Sequence, residues 1–293
     1  VAPSGATEET VAAIWSDVLS VAHVGANDGF FNLGGHSLLA MQAVARLYGA
    51  KGVAVPLRRF FERPTVRGVA AVVDELIEER GATFLAIPRA ARDGELELSF
   101  AQERLWFLDQ YSPSSAIYNV AGALRLRGVL DIEALRRAFG AIVARHEALR
   151  TRLPSRQGRA LQVIDDAPGV WECPVTDLAN VAPDRVEQEA IARALDESSR
   201  PFNLATGPVI RTSATKIGAR DHLLTIVLHH IVSDGWSLGV LVRELGIFYG
   251  QFAGDCGDEA RLPSLPIQYA DFAHWQRQQL RGDRLERHLA YWR

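Results

Sequence analysis

The hydrophobic pattern changes its period once along the chain, and this confines the fold to two units of different build. Ahead of about Gly81 apolar residues recur at helical spacing. Beyond Leu96, stretches that alternate every second residue, or are apolar throughout, are interleaved with helical ones. In the first part Val11, Ile14, Trp15, Val18 and Leu19 make the buried stripe of a helix starting near Thr7, where Glu8 and Glu9 suit the positive end of its dipole. A second stripe, Val66, Val69, Ala70, Val73, Leu76 and Ile77, follows Pro64 and the N-cap candidate Thr65, and a further helical pattern opens at Ser37. Residues 1–80 therefore predict a small all-helical bundle without strands. The polar, proline-containing stretch 81–96 predicts a linker, and 97–293 a second domain.

In that second domain Ser99 and Gln102 have capping-box spacing for a helix through Leu108, and Asp131 can cap a helix carrying Ile132, Leu135, Phe139, Ile142 and Val143. Val120, Gly122, Leu124 and Leu126 alternate as a strand does. Residues 149–153, 160–164 and 209–217 predict further strands, with a polar helix over 183–199 between them. Leu223 to Leu228 is apolar throughout, as in a strand buried on both faces, and Leu238, Leu241, Val242, Leu245, Phe248, Tyr249 and Phe252 form a strong helical stripe. The expectation is a mixed α/β architecture around a buried sheet.

Composition narrows function more than fold. The chain of 293 residues has a formal net charge of −3 and no massed basic block, so it offers no footprint for nucleic acid or an anionic membrane. No apolar run reaches the roughly 18 residues that cross a bilayer, and the N-terminus lacks a basic region followed by an apolar one, so the cytosol is the expected location. Cys173 and Cys256 lie far apart without paired spacing and indicate neither a disulfide framework nor a thiolate zinc site. The apolar-aromatic ending at Ala290-Tyr291-Trp292-Arg293 reads as part of something longer.

Two places carry chemistry. Ser37 follows Gly34, Gly35 and His36 where a loop turns into a helix, so a phosphate attached there would meet free backbone N–H groups and the helix dipole; the plainer reading is a simple N-cap. His229 and His230 end the apolar strand, and because strand side chains alternate, only one of them can face a given cleft. A histidine there can accept or share a proton. A hydrogen-bonded core histidine and a zinc ligand are the alternatives, the latter without evident co-ligands.

The run Asp28-Gly29-Phe30-Phe31-Asn32-Leu33-Gly34-Gly35-His36-Ser37-Leu38-Leu39-Ala40 resembles the phosphopantetheine attachment motif of peptidyl carrier domains in non-ribosomal peptide synthetases, over residues 7–80. His229-His230-Ile231-Val232-Ser233-Asp234-Gly235 resembles the HHxxxDG motif of condensation domains, whose fold is like chloramphenicol acetyltransferase. The segments Ser99–Leu108, Arg145–Thr151 and Tyr269–Gln276 agree, in the family's order. The resemblance implies a multi-domain chain: an all-α four-helix carrier bundle, then an α/β chloramphenicol-acetyltransferase-like half-domain. It implies 4′-phosphopantetheine held covalently on Ser37, and His230 as the active-site histidine, either as general base or as a positioning group. Asp234 is expected to be structural, paired with an arginine. Gly235 is expected to offer a backbone N–H to the thioester or arm, and His229 and His146 to be structural.

The implied partners are a phosphopantetheinyl transferase, an upstream adenylation domain, the downstream half of the condensation domain and an acceptor carrier; no metal is implied. Gly235-Trp236-Ser237-Leu238 looks like the peptide-bond-forming branch acting on an L-configured donor. Without the second half the chain is expected to make little peptide bond alone. A non-catalytic docking platform and epimerisation of the tethered residue are the competing functions.

Overall fold

A computed structural model describes residues 1–78, 87–254 and 262–292. The chain divides into two compact units, Val1–Ala86 and Ile87–Arg293.

The first unit is the expected helical bundle. Its helices are α1 (Ala6–Leu19), α2 (Ser37–Lys51), the short α3 (Leu57–Glu62) and α4 (Val66–Glu78). The predicted stripes face inward: Val11, Trp15, Val66, Val69 and Val73 are fully buried with Leu47 of α2 and Phe60 of α3. An aromatic knot sits at the centre, where Phe30 from the α1–α2 loop packs edge-on against Trp15 at 4.8 Å and Phe60 at 5.1 Å between ring centroids. Thr65 caps α4 as expected, its hydroxyl accepting the Gly68 N–H. An isolated bridge between Gly29 and Thr65, with the Phe30 N–H on the Pro64 carbonyl and the Arg67 N–H on the Ala26 carbonyl, ties the loop to the start of α4.

The second unit opens with β1 (Leu96–Glu97), α5 (Phe100–Tyr111), β2 (Asn119–Arg127) and α6 (Ile132–Arg145). The short strands β3 (Thr151–Arg152), β4 (Ser155–Arg156) and β5 (Arg159–Ile164) come next, then β6 (Val175–Asp177), α7 (Val186–Ser199), β7 (Ile210–Gly218) and β8 (Asp221–His229). Three helices complete it, α8 (Gly235–Ala253), α9 (Tyr269–Gln279) and α10 (Gly282–Trp292). The main sheet has the order β2-β8-β7-β6, antiparallel except for β6 against β7. Edge strand β2 alternates in burial, while interior strand β8 is buried almost throughout, matching the two patterns read in the sequence. Phe139 and Ile142 of α6, Leu241 and Leu245 of α8, and Leu224 and Leu228 of β8 share one core.

Residues 149–153, predicted as a strand, differ: a 3-10 turn covers Glu147–Arg150 and only Thr151–Arg152 pair as strand. The cause lies far along the chain. The Gln268 side chain donates to the Arg145 carbonyl and accepts the Glu147 N–H, so these backbone groups are committed to a side chain that local pattern cannot see.

Residues 87–96, within the expected linker, are fastened to the second unit. Arg89 donates to the carbonyls of Leu265 and Pro266, and the Ala90 N–H to Asp271 Oδ1. Arg92 bridges Asp271 and Glu147, at 2.7 Å from either carboxylate. Asp271 is fully buried. Burial alone would raise its carboxyl pKa, but the Arg92 guanidinium and the N–H groups of Gln268 and Ala90 outweigh that and hold it below the usual carboxylate range. Cys256 lies outside the described residues; Cys173 is buried and unpaired, its thiol pushed up by burial.

Candidate functional site

Ser37 is the first residue of α2, not its cap. The cap position is His36, which makes no side-chain capping bond, and among the described residues no hydrogen bond engages the Ser37 side chain. The plain N-cap reading therefore fails, and the hydroxyl stands exposed at the start of a helix whose first turn contains no acidic residue. The two preceding glycines do different work. Gly34 has φ +90 with open space around it, whereas a Cβ on Gly35 would sit 2.3 Å from the Phe30 ring. The turn presenting Ser37 is thus pressed onto the aromatic core. The free N–H groups of the first turn and the absence of carboxylates suit a phosphodiester at this serine.

His229 and His230 diverge, as alternation requires. His229 is 1% exposed and packs near Tyr118 and Phe202; its Nδ1 accepts the Ile231 N–H, and its Nε2 has no partner among the described residues. Burial, reinforced by the neighbouring His230, lowers its pKa to about 4. His229 is therefore neutral in the folded protein, and its protonation favours the unfolded chain. Above pH 6.5 both states are neutral; below it the unfolded histidine binds a proton that the folded one refuses until pH falls near 4. By pH 5 this should cost about 2 kcal/mol. Urea unfolding at pH 7 and pH 5 should show that loss in the parent and a shallower pH dependence in His229→Gln. Equal pH dependence would refute the assignment.

His230 is exposed. Its Nδ1 lies 2.6 Å from the carbonyl oxygen of Ser233. A carbonyl only accepts, so Nδ1 carries the proton and, in the neutral ring, Nε2 keeps its lone pair. Nε2 has no partner among the described residues. The turn that holds it is anchored by Ile231, which is buried with Leu98, Leu153, Leu204 and Val209, and by the Ser233 hydroxyl on the His229 carbonyl. His230 lines a cleft of about 460 Å³ with Gln102, Arg104, Tyr118, Ser233, Asp234 and Tyr269 among the other walls.

Asp234 needs a correction. Its expected arginine partner is absent among the described residues; instead Oδ1 caps α8, accepting the Ser237 N–H at 2.8 Å and the Ser237 hydroxyl at 2.7 Å. The turn leads straight into a helix whose free N–H groups claim the carboxylate first. Arg104 lines the same cleft and makes no ion pair with it. Burial pushes the Asp234 pKa up, but the Ser237 hydrogen bonds and the His230 charge more than offset it, leaving the group an anion of lowered pKa. Gly235, first residue of α8, lies outside the cleft lining, and a Cβ there would meet open space, so neither packing nor backbone angle demands glycine.

His146 lies apart from His230 in an ionic group, its Nε2 2.7 Å from Glu244 Oε2, with Arg145 on the same buried carboxylate. Among the described residues no three His, Cys, Asp or Glu side chains gather as a metal site, and no helix is long and apolar enough to cross a membrane. Tyr118 is the cleft residue that the sequence does not point to. Gln102, Arg104 and Tyr269 lie in segments that it does, and Gln102 and Tyr269 converge because the Ser99 hydroxyl, capping α5 at Gln102, also bonds the Tyr269 hydroxyl at 2.9 Å.

Taken separately, the units are a small helical carrier with a displayed serine and an α/β acyltransferase-type unit with a histidine at the end of a buried strand. Residues 92–293 match the model of the condensation domain and residues 9–73 that of the phosphopantetheine attachment site. The chain belongs to the condensation-domain family, preceded by a carrier domain of the type to which 4′-phosphopantetheine is covalently attached. Over its whole length it is 48% identical to part of the linear gramicidin synthase of Brevibacillus parabrevis and 39% identical to part of cyclosporin synthetase simA of Tolypocladium inflatum. It spans only 4% and 2% of those two polypeptides. Among solved structures, the X-domain in its complex with OxyB from teicoplanin biosynthesis is 29% identical with a TM-score of 0.59, covering 69% of this chain and 42% of that one. The starter condensation domain of rhizomide synthetase RzmA, at 23% identity and TM-score 0.58 over 68% of this chain and 47% of that one, shares the fold.

Proposed function

We propose that the chain acts in non-ribosomal peptide synthesis, carrying a donor acyl or peptidyl group on Ser37 and contributing His230 to amide formation. The observation that carries this reading is the His230 tautomer: Ser233 holds the proton on Nδ1, so a basic Nε2 is free at a cleft. When bound, the arm supplies a terminal thiol that holds the acyl group as a thioester. The acceptor amine nitrogen attacks the acyl carbonyl carbon; a C–N bond forms and the C–S bond breaks. His230 Nε2 takes the proton the nitrogen loses and returns it to the departing sulfur, so the reaction is balanced without any oxidant. Asp234, by capping α8, fixes the far end of the turn that carries His230.

In this reading a phosphopantetheinyl transferase modifies Ser37, and an upstream adenylation domain loads the donor. A downstream carrier brings the acceptor. The remaining half of a condensation domain supplies the other wall of the site, so residues 1–293 alone should form little amide. A second reading, a non-catalytic docking platform, draws on the likeness to the X-domain, a protein solved in complex with OxyB.

The test uses the intact synthetase with a donor deuterated at its α-carbon. The amide product is expected to retain the deuterium. Wash-out without amide would mean epimerisation instead, and neither product nor wash-out would leave the platform.

A further inference from the structure

We infer that a second, apolar cavity behind the His230 cleft receives the α-side chain of the donor acyl group and selects it by size. The inference rests on the donor-side reading above and names the substrate class of that site: acyl groups bearing a branched aliphatic or phenyl side chain.

The cavity measures about 270 Å³ and lies among α6, α8 and the start of α9, with Ile142, Leu149, Leu228, Trp236, Val240 and Leu241 in its walls. Four residues, Val232, Ser233, Ser237 and Tyr269, line both this cavity and the His230 cleft, so the two spaces adjoin. A larger groove beside Leu124 and Tyr249, about 380 Å³, shares no lining residue with the cleft and has no such claim.

The chemistry of the occupant follows from what the walls have left to offer. Each hydroxyl, amide and imidazole in the lining is already engaged within the protein. Ser233 donates to the His229 carbonyl and Ser237 to Asp234, while Tyr269 pairs with Ser99. Gln268 spans Arg145 and Glu147, and His146 is held by Glu244. Among the described residues only the Trp236 indole N–H and His146 Nδ1 are left without a bond in this lining, so a polar side chain entering here would lose its water for few partners, whereas an aliphatic or aromatic one would fill apolar space. An acyl carbonyl held at His230 would bring its α-substituent to the lining that cleft and cavity share, beside Ser237 and Tyr269.

The experiment compares leucyl and alanyl donors in single-turnover amide formation by the intact synthetase. Val240→Phe and Ala148→Leu fill the cavity from different walls, and Trp236→Ala enlarges it. Both filling variants should lower the leucyl-to-alanyl rate ratio roughly tenfold or more, and Trp236→Ala should shift preference towards larger donors. Only variants that keep the parent's unfolding temperature and full arm loading are compared, which separates selection from misfolding. An unchanged ratio beside a rate that still depends on His230 would overturn this inference alone. A rate indifferent to His230→Ala would overturn the donor-side reading, and this inference with it.

Discussion

In the intact synthetase, His230→Ala is expected to slow amide formation roughly 10²–10⁴-fold, the usual contribution of a positioned general base. Arm loading should be unaffected, because Ser37 lies in the other compact unit. The fold should tolerate the change: His230 is exposed, and the substitution removes one hydrogen bond, to the Ser233 carbonyl. His230→Gln divides the two roles left open by the sequence. Its amide can still hydrogen-bond the amine, so a rate near the parent's would make His230 a positioning group, while a rate as low as alanine's requires proton transfer at Nε2. His230→Ala with an undiminished rate would favour the platform reading.

Ser37→Ala is expected to abolish covalent loading outright. After incubation with coenzyme A and a broad-specificity phosphopantetheinyl transferase, intact-mass measurement should show one added phosphopantetheine on the parent and none on the variant. The variant's stability should match the parent's, because the Ser37 hydroxyl makes no hydrogen bond among the described residues and is not the cap of α2. Loading of the variant would place the attachment elsewhere; no loading of either protein would mean that the turn is not recognised.

Much of this arrangement was legible in the amino-acid sequence because it is written locally. The inward stripes of α1 and α4 and the contrast between alternating β2 and continuous β8 are periodicities, and each appears in the fold as read. So too is the divergence of His229 from His230, which follows from strand geometry alone. What escaped depends on distant residues. Strands β1, β3, β4 and β6 have two or three residues, too few to show any period. The 3-10 turn at Glu147 answers to Gln268, more than a hundred positions away. Asp234 is structural as expected, but its partner is not an arginine: the helix beginning at the next residue offers nearer donors to a carboxylate in this turn. Gly235 stands exposed, and nothing in its packing requires glycine.

The fastening of residues 87–92 bears on how such chains can be recombined. A chimaera joined after Arg92 would bring a foreign strap to Asp271, a buried carboxylate that needs the Arg92 guanidinium and the Ala90 N–H. Leaving a buried carboxylate without its partner is destabilising, though less than in a fully buried pair because the Arg92 side chain is about one-third exposed. A junction ahead of Ile87 keeps strap and socket from the same parent. The seam for exchanging carriers thus lies earlier in the chain than the shift from polar to strand-forming sequence would suggest.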